Sequence, residues 1–98
     1  MPELTANNTP QEIRIADNLI GGEYANAMQI SHNKEEFIMS FFNVVPPGGR
    51  VVARVISSPG HLKNMIFALQ DNLKKYEAQF GSVTQAESPK AEIGFKAE

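Results

Sequence analysis

Residues 57–81 read Ser-Ser-Pro-Gly-His-Leu-Lys-Asn-Met-Ile-Phe-Ala-Leu-Gln-Asp-Asn-Leu-Lys-Lys-Tyr-Glu-Ala-Gln-Phe-Gly, with the start and the stop of a helix both written in. The hydroxyl of Ser58 can accept from a free backbone N–H of the first turn, and Pro59 fits the first helical position. Gly81 supplies the left-handed residue on which helices commonly end, with Lys74 and Lys75 near the negative end of the dipole. Between these signals Leu62, Met65, Ile66, Leu69, Leu73, Tyr76 and Phe80 recur three or four residues apart, an apolar stripe on one helix face.

Such a helix cannot stand alone. Burying the stripe yields roughly 10–20 kcal/mol gross, at about 1.5–3 kcal/mol per side chain. Ordering the backbone costs roughly 1–2 kcal/mol for each of its residues. A large apolar partner surface is required, and residues 12–57 are where the chain can supply one.

That upstream region alternates. Glu12-Ile13-Arg14-Ile15-Ala16-Asp17 has the period of a half-buried strand, and Asp17-Asn18 with Gly21-Gly22 marks a turn or bulge after it. Glu23–Ser31 reads as a second strand, with Tyr24, Met28 and Ile30 on one parity beside Asn26. Ala25, Ala27, Gln29 and Ser31 take the other. A helix over Glu23–Ile30 is the competing reading, since Ala, Met and Gln are good helix formers. His32-Asn33-Lys34-Glu35 is a polar turn. Glu36–Val45 is the most apolar segment, with Phe37, Met39 and Phe41 projecting one way and Ile38, Phe42 and Val44 the other, beside Ser40. A strand apolar on both faces lies between two layers or forms half of an oligomer interface. Pro46-Pro47-Gly48-Gly49 forces a loop. Arg50–Ser57 follows as a strand, with Val51, Ala53 and Val55 on one face and Arg50, Val52, Arg54 and Ile56 on the other.

The expected fold is therefore α+β: an antiparallel meander of about four strands, followed by one long amphipathic helix folded back over one face. The second face, carrying Ile38, Phe42 and Val44, is left for another copy of the chain, with a dimer favoured. Met1–Pro10 is polar and aperiodic and reads as a flexible arm; residues 11–81 form the single domain; residues 82–98 have the composition of a disordered tail. Ile93 and Phe95 interrupt that tail. Their spacing suits an extended segment that adds to a sheet edge or fills two pockets on a partner.

Composition narrows the function classes. The chain has 98 residues, a net charge of −2 and no cysteine, which excludes disulfides and thiolate metal sites. Nothing global draws it toward nucleic acid or an anionic membrane. Its first ten residues lack the basic start and apolar run of a secretory signal, and the run Phe37–Val45 is too short to span a bilayer, so a cytoplasmic location is expected. His32 and His61 stand without a second ligand at metal spacing, and the pairs Glu35-Glu36 and Asp17 with Glu23 read as solvated carboxylates. Neither glycine pair has phosphate-loop spacing. The start of the long helix is more suggestive, because its free N–H groups sit in sequence near Arg50, Arg54, His61 and Lys63, where an anion or a carboxylate-bearing partner could dock.

Several stretches also carry a resemblance. Tyr24-Ala25-Asn26, Glu36-Phe37-Ile38-Met39-Ser40-Phe41 running to Pro46-Pro47, and Arg54-Val55-Ile56-Ser57-Ser58-Pro59 are three of them. Asn72-Leu73-Lys74-Lys75-Tyr76-Glu77 and the terminal Phe80-Gly81 complete the set. Over Gln11–Gly81 the chain resembles an uncharacterised prokaryotic family of small proteins, domain of unknown function 3467. The family pattern names no catalytic residue. The resemblance implies a transcription-related partner, because in some bacterial lineages members are encoded beside the large RNA polymerase subunits.

The functional expectation is a non-enzymatic accessory protein without a cofactor, binding a larger protein complex, with RNA polymerase the leading candidate. The alternative is a nucleic-acid-binding module using Arg50 and Arg54 with Lys63. Against it stand the acidic net charge and the lack of interleaved exposed aromatics on that strand.

Overall fold

The computed structural model describes residues 11–87, and it builds them into three strands and one helix. β1 spans Ala27–His32, β2 Phe37–Val45 and β3 Gly48–Ser57, followed by α1 over Pro59–Phe80. The strands form one antiparallel sheet in the order β1-β2-β3, a meander with β2 in the centre.

Each hairpin has a local cause. Between β1 and β2 the side-chain oxygen of Asn33 accepts from the backbone N–H groups of Glu35 and Glu36 at 2.8 and 2.9 Å. That side chain does the work of a turn backbone, as Asn commonly does. His32 belongs to the strand rather than the turn, its ring 5.2 Å from that of Phe37 across the pair. Between β2 and β3 only Pro46 and Pro47 lie outside the ladder, joined by a cis peptide, and Val45 faces Gly48 directly. The glycines read as loop thus open β3. Gly49 has to be small: a Cβ there would lie 3.0 Å from the carbonyl oxygen of Asn43 and 3.1 Å from the Cα of Val44.

Residues 12–17, expected as a first strand, form none. Alternation makes a segment fit to pair, but a strand exists only where an edge receives it. Pairing begins at Asn26, whose N–H donates to the Phe42 carbonyl at 2.9 Å, and residues 11–25 run on without a ladder. In place of the expected turn or bulge the chain only bends, at Gly21 with a φ of 70°, and the Leu19 N–H bonds to Asp17 Oδ1 at 3.1 Å.

α1 begins and ends as its sequence dictates. Ser58 Oγ accepts from the His61 N–H at 3.1 Å, Pro59 opens the helix, and Gly81 closes it with a φ of 95° while its N–H reaches the Glu77 carbonyl. The expected basic end is absent: no lysine stands in the last turn, and Lys75 pairs with Asp71 one turn earlier, at 3.1 Å.

The helix does not fold back over the sheet. Among the described residues the extensive contacts run between β1 and β2 and between β2 and β3, and α1 makes none of that extent with any strand. None of its residues is buried. The buried apolar residues are Met39 and Phe42, both on the central strand and on opposite faces of it.

Candidate interaction surfaces

Register decides what each sheet face presents, because residues paired across an antiparallel ladder share a face. One face carries Met28 and Ile30 of β1, then Phe37, Met39 and Phe41 of β2, then Ala53 and Val55 of β3. All are apolar. Met39 lies in the middle and is buried, whereas Met28, Ile30 and Val55 are each at least 42% exposed. The opposite face is mixed: Gln29, Ser31 and Ser40 lie among Ile38, Phe42 and Ile56, and Arg54 Nε donates to Ser40 Oγ at 2.9 Å.

The apolar stripe of α1 is the second open surface. Leu69 is 69% and Phe80 64% exposed, and Ile66, Leu73 and Tyr76 stand close to half exposed. Tyr76 and Phe80 lie one turn apart with ring centroids at 4.9 Å, the spacing that joins side chains along a helix face. Phe67, on the flank of the stripe, is also largely exposed. A continuous apolar patch of this kind is what interaction surfaces present.

The residues read as one basic face do not form one. The ladder shifts between Phe41 and Phe42: Phe41 faces Ala53 while Phe42 faces Val51, which leaves Val52 as an extra residue. A bulge of this kind reverses side-chain parity beyond it. Arg50 therefore faces Asn43, on the Met39 side of the sheet, and Arg54 faces Ser40 on the other. Val51 likewise leaves the face expected for it with Ala53 and Val55. Arg50 is engaged with Glu23 at 2.8 Å. His61 and Lys63 sit in the first turns of α1, beyond the far end of β3, and seven residue steps of about 3.3 Å each separate Arg50 from Ser57. These four residues do not converge on a single anion site.

Ile38, Phe42 and Val44 do share one face, as their alternation implies. Phe42, however, is 3% exposed within the single chain, so it is a core residue before any second copy arrives. The more open apolar face is the other one. Alternation places Met28, Ile30 and Val55 on apolar sides of their strands, and the expected cover by the chain's own helix is absent. Ile93 and Phe95 lie outside the described residues.

A family model described as a protein of unknown function, DUF3467, matches residues 2–85. The chain belongs to that family. The match extends past both ends of the stretch on which the resemblance rests, into residues 2–10 and 82–85. No curated protein and no solved structure matches the chain. Membership in the DUF3467 family thus names no substrate or partner. Among the described residues, no helix is long and apolar enough to cross a membrane.

Proposed function

We propose that this DUF3467 protein is a non-enzymatic accessory protein that works as a homo-oligomer, a dimer in its simplest form, and docks onto a larger protein complex in the cytoplasm. One observation carries the reading: a 22-residue amphipathic helix without a single buried residue. An isolated helix of that length is marginal in water, and its stability normally comes from packing its apolar face. A chain that presents such a helix beside an open apolar sheet face is built for assembly. RNA polymerase is the first candidate complex; support for it comes from the genomic neighbourhood that the family resemblance implies.

Sedimentation of the full chain at micromolar concentration tests the assembly, and a stable monomer there retires it. A native pull-down with the tagged full chain tests the complex. Enrichment of RNA polymerase subunits over an untagged control supports the assignment; a different dominant partner replaces it. Nucleic-acid binding draws less support, since the bulge at Val52 sends Arg50 and Arg54 to opposite faces. Tight, steeply salt-dependent retention on a polyanion column would reinstate it.

A further inference from the structure

The two open surfaces differ in kind, one a flat apolar sheet face and the other a helical stripe, and helix on sheet is a standard way to bury both. Their own chain does not bring them together. β3 ends at Ser57 and α1 begins at Pro59, which leaves Ser58 as the whole connection, in an extended conformation at φ −75° and ψ 157°. Seating α1 on its own sheet requires the chain to reverse direction there. Ser58 has the extended backbone usual for an N-cap and for a residue before proline, and no further linker residue stands between sheet and helix. Exchange of an element between copies is a low-cost route to a dimer, and a short hinge such as this one invites it.

We infer that two copies exchange helices: α1 of each chain lies across the Met28, Ile30 and Val55 face of the other. The inference rests on the self-association proposed above and specifies its geometry. The area available fits. Met28, Ile30 and Val55 on the sheet are each at least 42% exposed, and so are Ile66, Leu69, Leu73, Tyr76 and Phe80 on the helix. At about 150–250 Å² for an aromatic side chain and less for an aliphatic one, these residues offer at most on the order of 800 Å² per copy. A stable, specific interface takes about 800 Å² from each partner. The exchange is reciprocal, so each copy covers both of its partner's open surfaces and the assembly closes at two.

The chain has no cysteine, so introduced thiols are the only ones present. Two differently tagged full-length chains are co-expressed, one carrying a sheet thiol (Val55→Cys or Met28→Cys) and the other a helix thiol (Leu69→Cys or Leu73→Cys). They are then treated with a short thiol crosslinker, and the mass of the uncrosslinked assembly is measured by sedimentation. The expected result is a dimer in which mixed-tag, sheet-to-helix products dominate over like-tag ones. A dimer that yields only sheet-to-sheet or helix-to-helix products overturns the exchange and leaves self-association standing. A monomer overturns both. A single chain carrying Val55→Cys and Leu73→Cys that crosslinks internally, as a monomer, shows α1 on its own sheet and also overturns the exchange.

Discussion

Asn26 closes the end of the sheet by bonding Val44 as a strand residue would: its Nδ2 donates to the Val44 carbonyl at 2.9 Å, and the Val44 N–H donates to Asn26 Oδ1 at 2.8 Å. In the register that pairs Ala27 with Phe42, the residue due opposite Val44 is Ala25. The Asn26 side chain takes over that backbone's role, which frees the chain before it to leave the sheet. Asn26→Ala should lower stability by about 1–2 kcal/mol, since a typical hydrogen bond contributes about 0.5–1.5 kcal/mol net. Hydrogen exchange gives the sharper test, because the Val44 amide should lose its protection. Unchanged protection at Val44 would mean that the side-chain pair is incidental.

Gly49 and Gly48 make a matched pair. At Gly49 an added methyl meets the backbone of Asn43 and Val44 at 3.0–3.1 Å, whereas at Gly48 it meets nothing within 4 Å. Gly49→Ala should destabilise by about 1–3 kcal/mol, the usual range for forcing atoms into a packed site. Gly48→Ala should be neutral or slightly stabilising, by up to about 1 kcal/mol, through the unfolded chain. Urea titration of both variants decides it; equal effects would remove the steric explanation.

Ser58 caps a helix that has little else to hold its first turn. Ser58→Ala should cost about 1 kcal/mol, within the usual 0.5–2 kcal/mol for losing such a cap, while Ser58→Asp should retain most of the stability. The reading fails if both variants melt alike.

Phe42 and Met28 separate folding from assembly. Phe42 is buried within one chain, so Phe42→Asp leaves a carboxylate without water and should unfold the protein at every concentration. Met28 is 49% exposed on the open face, so Met28→Asp should keep the fold of the chain but shift the sedimentation equilibrium toward monomer. The same logic makes the melting temperature of the unmodified protein rise with its concentration, because association stabilises by mass action. A melting temperature that stays flat from micromolar to hundreds of micromolar would contradict shared packing.

What the sequence determined by itself is whatever depends on near neighbours. The bounds of α1 follow from Ser58-Pro59 and Gly81, since capping acts within one turn. The first hairpin follows from Asn33 and the second from Pro46-Pro47, since turn chemistry is local. Parity along β2 was legible because each face alternates without interruption from Phe37 to Val44. The tertiary structure decided everything that needs a distant partner. Residues 12–17 alternate as a strand does, yet no edge receives them. The bulge at Val52 is silent in the sequence, because Val51 and Val52 are both apolar and one extra residue shifts register without disturbing the pattern. It nonetheless moves Arg50 to the opposite face from Arg54. The place of α1 was equally hidden: an apolar stripe states how much surface must be covered, and not by which element.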